Sequence, residues 1–169
     1  DTLLGQGGND LFRGESVTHF TDDVIDGGSE YDGVTKIGRG SDSVDYSLID
    51  TSLLTNGVNV TLNDETVVTV LIDGSNAHTI KNIENIIGTT INDTINGDSG
   101  NNTLIGESGT DTIRGIAGNN VIYGDKIDGS ELNDATSNDL IYAGTGDDVI
   151  YAGSGQDTIY TNTGSDTIY

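Results

Sequence analysis

Four consecutive nonapeptides open the clearest part of the chain: residues 88–123 read GTTINDTIN, GDSGNNTLI, GESGTDTIR and GIAGNNVIY. After an interruption the pattern returns over 143–169 as AGTGDDVIY, AGSGQDTIY and TNTGSDTIY. The eighth residue of each unit is Ile or Leu, and the sixth is Asp or Asn. Glycine in the first four positions favours a tight reversal, and the last three positions favour a short strand. A nine-residue period of this kind is typical of stacked β-solenoids.

Two nonapeptides are expected to form one coil, because each short strand is followed by a reversal onto the opposite sheet. Residues two units apart then stack at the strand spacing of roughly 4.8 Å. Alternation sends position 8 inward and its neighbours outward. One predicted ladder is Ile95, Ile113, Ile141 and Ile159, and the other is Leu104, Ile122, Ile150 and Ile168. The predicted fold is all-β: a right-handed parallel β-roll, or β-solenoid, with an inserted non-repeat β segment.

The pattern divides the chain into three segments. Residues 1–45 contain looser repeats, such as GQGGNDLFR at 5–13. Residues 46–87 have lost the repeat, but VNVTL and VVTVLI are rich in β-branched residues, so three or more strands are expected to pair with the roll or cover it. Residues 88–169 form the regular array, with an insertion loop expected at 126–137. Asp1 and Tyr169 both fall in phase with the repeat, so a longer array is expected around them.

The composition limits the possible classes of function. The chain of 169 residues carries 28 acidic and 6 basic side chains, a net charge of −22. Nucleic acid is disfavoured as a partner, because phosphate binding requires clustered Lys and Arg. The absence of cysteine excludes disulfides and thiolate metal sites. No apolar run approaches the ~20 residues of a transmembrane helix, and no signal peptide is visible.

The acidic residues at position 6 pose an electrostatic problem. Asp93, Asp111, Asp139 and Asp157 are expected to stack on one edge of the roll. At about 4.8 Å and an effective dielectric of 20, each neighbouring pair would repel by roughly 3–4 kcal/mol. A divalent cation between carboxylates reverses the sign, and a cage of carboxylate and carbonyl oxygens favours Ca²⁺. The alternative is a row of solvated turn acids. An EF-hand is rejected, because its loop motif is absent.

These nonapeptides resemble the RTX (repeats-in-toxin) family of secreted bacterial proteins. The resemblance covers the start and the end of the chain. The stretches SVDYS (43–47), GVNVTLN (57–63) and 80–106, which begins IKNIENIIGTT, resemble the non-repeat region that often separates two RTX blocks. It implies a roll that binds several calcium ions. It also implies export as an unfolded chain by the type I secretion machinery.

The resemblance also implies a ligand set. Carbonyls of positions 1 and 3 in one turn, carbonyls of positions 2 and 4 two units later, and both position-6 carboxylates would surround each ion. Three sites follow: Gly88, Thr90 and Asp93 with Glu107, Gly109 and Asp111; Ala143, Thr145 and Asp148 with Asn162, Gly164 and Asp166; and Gly5, Gly7 and Asp10 with Gly28, Glu30 and Asp32. Further positions assigned to metal sites are Asp23, Asp42, Gly106, Ser108, Asp139, Gly153, Gly155 and Asp157.

Some turns depart from the pattern. Asn102 and Asn120 replace Asp, so weaker or empty sites are predicted there. Good occupancy is predicted along the edge of Asp93, Asp111 and Asp157. Asp125 begins the interrupted turn, which leaves the Asp139 site undecided. The tyrosines at position 9 are expected to point outward, where they would stack along the strands or contact a partner. His19 and His78 have no catalytic partner at a recognisable spacing and are expected at the surface.

The leading functional hypothesis is a calcium-binding module of a secreted or cell-surface bacterial protein that folds when calcium binds. One alternative is a self-assembling S-layer, adhesin or filament subunit that binds copies of itself or cell-surface polymers. Another is the non-catalytic repeat region of a secreted enzyme or toxin. No nucleophile, base and orienting group occur together in the sequence, so the chain itself is not expected to be an enzyme.

Overall fold

The computed structural model describes residues 2–14, 23–28, 30–31, 36–38, 40–63, 66–126 and 137–169. These residues contain only short strands and connections. The strands are β1 (Thr2–Leu4), β2 (Leu11–Arg13), β3 (Val24–Asp26), β4 (Glu30–Tyr31), β5 (Lys36–Gly38), β6 (Ser43–Asp45), β7 (Val58–Thr61), β8 (Val68–Ile72), β9 (Asn76–Lys81), β10 (Asn85–Ile87), β11 (Thr94–Asn96), β12 (Thr103–Ile105), β13 (Thr112–Arg114), β14 (Val121–Tyr123), β15 (Leu140–Tyr142), β16 (Val149–Tyr151), β17 (Thr158–Tyr160) and β18 (Thr167–Ile168). Within the described ranges, no helix has the length and apolarity needed to cross a bilayer.

Successive strands of the repeat alternate between two sheets. The first sheet has the order β1-β3-β9-β8-β7-β11-β13-β15-β17, and the second has the order β18-β16-β14-β12-β10-β6-β2. Ile95 lies opposite Ile113, and Leu104 lies opposite Ile122, both in parallel register. Two nonapeptides therefore form one coil, and the predicted parallel β-roll is confirmed.

The core of the roll is one aliphatic residue deep. The position-8 side chains from Ile95 to Ile150 are completely buried, and the residues on either side of them are mostly half-buried. Ile159 is only partly buried and Ile168 is exposed, because the described strands place nothing on the outer sides of β17 and β18. The inward ladders read from the nine-residue period are therefore confirmed.

The middle segment widens the first sheet. Strands β7, β8 and β9 form an antiparallel meander, whose outer strands pair in parallel with β11 and β3 of the roll. The second sheet gains only β10 at this level, between β6 and β12. The extra interior space is filled by apolar side chains of the meander, among them Val60, Val70 and Ile72. The expected strands are thus present and pair with the roll, while the division of the chain at 45 and 87 stays a prediction.

The surface position expected for His78 is wrong. In β9 its side chain points inward with that of Ile80, because alternate residues of a strand share a face. His78 Nε2 lies 2.8 Å from the Tyr46 hydroxyl, and both side chains are buried. Burial lowers the pKa of His78 to about 4, against the opposing charge of Asp23. His19 lies outside the described residues.

Candidate metal centre

Two rows of turns run along the roll, one on each edge. The first edge consists of the turns that lead from the second sheet to the first, at 88–93, 106–111, 124–139 and 152–157. The second edge consists of the turns that lead back, among them 5–10, 97–102, 115–120, 143–148 and 161–166. Position 6 closes each turn directly before a strand, so side chains from successive coils are brought into a row.

Each aspartate of the first edge uses one carboxylate oxygen to hold the preceding coil. Asp93 N–H donates to Asp111 Oδ1 at 2.8 Å, and Asp111 N–H donates to Asp139 Oδ1 at 2.8 Å. Asp139 N–H donates to Asp157 Oδ1 at 2.9 Å. The predicted stacking of these four aspartates is therefore observed, and the row is also a chain of backbone contacts.

The second oxygen of several position-6 carboxylates has no hydrogen-bond partner although it is buried. Among the described residues this holds for Oδ2 of Asp10, Asp111, Asp139 and Asp148. Buried polar atoms are rarely left unsatisfied in proteins, and an ionised carboxylate is the most costly group to leave so. These four oxygens are consequently candidates for bonds to a cation.

Glycine at position 1 leaves open the space beside these oxygens. A Cβ on Gly106 would collide with Asp111 Oδ2 and with the carbonyl oxygen of Gly124. A Cβ on Gly124 would collide with Asp139 Oδ2 and with the carbonyl oxygen of Ala152. Each cradle thus brings a carboxylate oxygen of one turn next to a carbonyl oxygen of the next turn. Oxygen ligands of this kind suit a hard divalent cation such as Ca²⁺.

The charge state of the row reflects its burial. Burial, together with the charges of Asp93, Asp139 and Asp125, raises the pKa of Asp111 to about 9. Burial also raises the pKa of Asp93 and of Asp139 to about 7, despite the backbone N–H groups that stabilise their charge. Without a cation, the folded roll therefore holds carboxylates that resist ionisation at neutral pH.

On the second edge, two asparagines continue the same row. Asn102 N–H donates to Asn120 Oδ1 at 2.9 Å, and Asn120 N–H donates to Asp148 Oδ1 at 2.7 Å. Asn120 Nδ2 is 3.1 Å from the Ala117 carbonyl oxygen and 3.4 Å from that of Ala143. The amide group thus donates to carbonyls beside its own turn. This arrangement supports the prediction of weak or empty sites at the asparagines, which stays a prediction.

Glu84 belongs to the second row and was missed in the sequence. Asp10 N–H donates to Asp42 Oδ1 at 2.7 Å, and Asp42 N–H donates to Glu84 Oε2 at 2.8 Å. Glu84 lies 18 residues before Asn102, the length of one coil. Asn102 Nδ2 donates to the Glu84 carbonyl oxygen, so the two residues are neighbours in adjacent coils. The stretch ENII at 84–87 has the phase of position 6 followed by a strand, and this signal could have found it.

The site predicted near the start of the chain needs a correction. Asp10 stacks on Asp42, in the register Leu11↔Ser43, whereas the sequence predicts Asp32 as its partner. Glu30 is part of the antiparallel pair β4·β5, opposite Gly38, and so does not lie in a repeat turn. This strand pair is inserted within one turn of the roll, between residues 27–28 and Asp42. The further repeat predicted at the inserted residues is therefore wrong. Asp32 itself lies outside the described residues.

The glycines of this site stack as turn neighbours. Gly5 N–H donates to the Asp26 carbonyl at 2.9 Å, and a Cβ on Gly28 would collide with the Gln6 carbonyl. Gly7 lies in the turn 5–10, and Asp23 is buried directly before β3. Gly5 and Asp10 are therefore paired with residues 27–28 and Asp42.

The other predicted carbonyl donors lie in turns of the expected shape. Positions 2 and 4 repeatedly adopt positive φ, at Glu107, Gly109, Gly153, Gly155, Asn162 and Gly164. Gly88, Thr90, Ser108, Ala143 and Thr145 occupy positions 1 and 3 of their turns. The Gly109 carbonyl already accepts a hydrogen bond from Ser137 Oγ at 2.7 Å. The ligand role of each of these residues stays a proposal.

A second, polar ladder at position 5 also escaped the sequence reasoning. Thr110 N–H donates to Asn92 Oδ1 at 2.9 Å, and Gln156 N–H donates to Asn138 Oδ1 at 2.7 Å. On the other edge Asn119 N–H donates to Asn101 Oδ1 at 2.8 Å. These exposed bonds tie neighbouring coils together through uncharged side chains. They account for the recurrence of Asn at this position, because its side-chain oxygen accepts the N–H of the next coil.

Side chains alone do not form a metal cluster in the described part of the chain, since no three His, Asp or Glu side chains converge there. Main-chain carbonyls are therefore required to complete any cation site, as the glycine cradles allow. Asp111 and Asp139 on the first edge, and Asp148 on the second, would contribute their open oxygens to such sites. A bound cation would neutralise the row and relieve the repulsion within it.

Comparison with protein families agrees with this geometry. The model of the RTX calcium-binding nonapeptide repeat matches four times, over residues 1–16, 87–122, 106–134 and 135–168. These matches cover more than half of the chain, whereas no curated protein matches it. The family is a structural calcium-binding repeat and not a catalytic one. The chain therefore belongs to the RTX calcium-binding nonapeptide repeat family and is a calcium-binding repeat module.

Proposed function

We propose that this module folds when calcium binds and that it belongs to a secreted or surface-displayed bacterial protein. One observation carries the proposal: buried aspartate oxygens of the first edge accept no hydrogen bond, and they lie beside carbonyl oxygens in cradles that only glycine leaves open. A fold with this feature is stabilised by a ligand that supplies positive charge at those points.

The coupling between calcium and folding follows from electrostatics. In the unfolded chain the aspartates are solvated and ionised, whereas in the metal-free roll burial opposes their ionisation. Calcium that binds only the folded state adds stability in proportion to RT ln(1 + [Ca]/Kd). Several sites act together, because each coil is held by its neighbours. Folding is therefore expected to be cooperative in calcium.

Calcium concentration would also determine where the chain folds. Extracellular calcium modules bind at about 10⁻⁴–10⁻³ M, far above the calcium concentration of the cytosol. A chain of this composition, with a net charge of −22 and a thin core, would stay unfolded at low calcium. RTX repeats typically occur in secreted bacterial proteins, which supports export of the unfolded chain by type I secretion.

Circular dichroism and size-exclusion chromatography test the coupling. The chain in excess EGTA is expected to lack strand signal and to elute as an expanded species. Calcium at about 5–10 times its Kd should produce strand signal and a compact species. Magnesium at the same concentration should not, because Mg²⁺ requires a tight octahedron. Strand signal of equal size in EGTA and in calcium would reject the proposal.

Assembly is a second candidate, favoured by the tyrosines on the outer faces. Tyr123, Tyr151 and Tyr169 stack at ring-centre distances of 4.7 and 4.8 Å, and Tyr142 stacks on Tyr160 at 4.9 Å. The exposed fraction reaches 50% at Tyr160 and 70% at Tyr169. Such ladders could contact copies of the chain or cell-surface polymers. Light scattering during a calcium titration tests self-assembly, since a product that stays monomeric when folded contradicts it.

A further inference from the structure

Asp125 brings an additional carboxylate to the first edge, at a position that carries no metal ligand side chain in the nonapeptide pattern. It is the second residue of the interrupted turn 124–139 and is only 7% exposed. Most other turns have Gly or a neutral residue at this position. Among the described repeat turns, Asp98 and Glu107 are the other buried acids at this position.

Hydrogen bonds hold this carboxylate between neighbouring turns. Asp125 Oδ1 is 2.5 Å from Ser137 Oγ, which also lies 2.7 Å from the Gly109 carbonyl oxygen. Asp125 Oδ2 accepts the Ser154 N–H at 2.5 Å and the Ser154 hydroxyl at 2.8 Å. Gly153 leaves the space that this oxygen occupies, because a Cβ there would collide with it. Asp125 therefore links the turns 106–111, 124–139 and 152–157.

The charge of Asp125 acts on the aspartate row. After burial, which is the main cause, Asp125 contributes to the raised pKa of Asp111, Asp139 and Asp157 alike. It thus lies close enough to three successive members of the row to interact with each. Asp125 is therefore a fourth negative group that interacts with the row at this turn. The neighbouring turn 106–111 carries Glu107 at position 2, whose charge contributes to the raised pKa of Asp93.

Independent evidence for a ligand comes from the oxygens at the same place. Asp111 is completely buried and Asp139 is 2% exposed, yet Oδ2 of each has no hydrogen-bond partner. Asp111 Oδ2 lies in the cradle of Gly106, in the preceding turn, and Asp139 Oδ2 lies in the cradle of Gly124, which begins the interrupted turn. A cation seated there would contact these oxygens and carbonyls and would also experience the charge of Asp125.

We propose that Asp125 is an affinity-determining carboxylate outside the repeat motif, and that the interrupted turn is where the first edge binds a divalent cation most tightly. The inference rests on the proposed calcium function and adds the order in which its sites fill. Calcium affinity rises with the number of negative charges around a site. The insertion at 126–137 thus interrupts the repeat without weakening the row.

The other edge offers a matched control. Asp98 is also at position 2, is 8% exposed, and accepts hydrogen bonds from Gly100 N–H at 2.8 Å and Asn102 Nδ2 at 3.2 Å. Its position-6 neighbours Asn102 and Asn120 are uncharged. Asp98→Asn therefore removes a similar buried charge from a turn outside the aspartate row.

Isothermal titration of calcium into the calcium-free chain, at fixed pH and ionic strength, tests the inference. Asp125→Asn is expected to weaken the tightest class of site on the order of tenfold. Asp98→Asn is expected to leave that class unchanged. Ser154→Ala keeps the carboxylate but removes a hydrogen-bond partner, so it should leave the tightest affinity within about threefold of the unmodified chain.

The outcomes separate the inference from the function on which it rests. An unmodified chain that binds no calcium would reject the proposed function. An unmodified chain that binds calcium, with Asp125→Asn binding equally tightly, would overturn only the inference. Equal losses in Ser154→Ala and Asp125→Asn would also overturn it, because Asp125 would then act through structure alone. If Asp125→Asn does not fold, Asp125→Glu is measured, and a tenfold loss despite the retained charge counts against the inference.

Discussion

The two edges of the roll share one backbone design but differ in charge. On both edges, the N–H of position 6 donates to the position-6 side chain of the next coil, at 2.7–3.0 Å. The first edge carries Asp93, Asp111, Asp139 and Asp157, whereas the second edge has Asn102 and Asn120 between its carboxylates. The fold thus tolerates either Asp or Asn at position 6, because both side chains provide the Oδ1 that accepts this hydrogen bond. The carboxylates on the first edge add a need for positive charge that the asparagines do not have.

The two edges differ in the second polar atom of the position-6 side chain, which is Oδ2 in Asp and Nδ2 in Asn. In Asp111 it is a buried oxygen without a hydrogen-bond partner, and in Asn120 it is an amide nitrogen that donates to carbonyl oxygens of Ala117, Gly118 and Ala143. The amide therefore satisfies carbonyls from within the protein, and the aspartate leaves both its own oxygen and nearby carbonyls to a cation. We expect the asparagine section to depend least on calcium.

The largest effect is expected from removal of a first-edge charge. Asp111→Asn should lower the free energy of unfolding in calcium by about 3 kcal/mol, because a buried cation would lose a charged ligand. In EGTA the sign should reverse, since the substitution removes repulsion with Asp93 and Asp139. Urea unfolding in calcium measures the loss. Circular dichroism in EGTA measures the reversal, because the variant should show more strand signal than the unmodified chain.

Asp147→Asn is the control for this change, because Asp147 is exposed at position 5 and only accepts the Ser165 N–H at 2.8 Å. It should alter stability by less than about 0.5 kcal/mol. An Asp111→Asn variant as stable as the unmodified chain in calcium would show that Asp111 does not act through a cation.

The converse substitution should make the second edge resemble the first. Asn120→Asp removes the amide donors and places a carboxylate between Asn102 and Asp148. In EGTA the roll should lose about 1–3 kcal/mol, because the three carbonyl partners of the amide lose their donor. In calcium the number of bound ions should rise, as measured by equilibrium dialysis with elemental analysis. Asn119→Asp, at exposed position 5, should leave that number unchanged, and an equal rise in both variants would contradict the account.

Acidity should affect the metal-free roll in the direction set by the raised pKa values. The pKa of Asp93 and of Asp139 is about 7 and that of Asp111 is about 9 in the folded chain, against 3.8 for a solvated aspartate. Between pH 4 and pH 9 the folded state therefore binds more protons than the unfolded state, so stability in EGTA falls as pH rises through this window.

Circular dichroism in EGTA should accordingly show more strand signal at pH 5 than at pH 8, while saturating calcium should remove this difference or reverse it. The Asp111→Asn variant should show a weaker dependence on pH. A metal-free chain that gains structure from pH 5 to pH 8 would contradict the assignment of buried, repelling carboxylates to the first edge.

A good part of the molecule could be predicted from the sequence where the repeat is regular. The period of nine placed Ile95 against Ile113 and Leu104 against Ile122, because stacking preserves the period in space. It also placed Asp93, Asp111, Asp139 and Asp157 in one row. These predictions depended only on local spacing, which short turns transmit from coil to coil.

The failures occur where long-range pairing overrides the local period. Asp10 meets Asp42 because the β4·β5 hairpin is inserted within a turn, and His78 is buried because β9 lies inside the widened first sheet. Glu84 reaches Asp42 N–H from the coil of β10. The contacts of Asp125 with Ser137 and Ser154 likewise depend on how three coils are stacked. A single sequence read unit by unit does not contain these pairings.

The smallest effect is expected from the outer tyrosines, because their substitution should not change calcium binding at the edges. Tyr151 stacks on both Tyr123 and Tyr169, so Tyr151→Ala should cost about 1–2 kcal/mol in calcium. Tyr151→Phe keeps the ring and should be nearly neutral. Thermal unfolding and calcium titration are the measurements. A large change in calcium affinity for Tyr151→Ala would show that the faces and edges of the roll are coupled more strongly than the structure indicates.

Anomalous diffraction from crystals grown in calcium tests the central claim most directly, because it locates calcium independently of any model of the turns. The account predicts anomalous peaks along the first edge, between successive members of the row Asp93, Asp111, Asp139 and Asp157. It predicts no peak between Asn102 and Asn120. Water alone along the aspartate row, in crystals of folded protein grown in calcium, would contradict it.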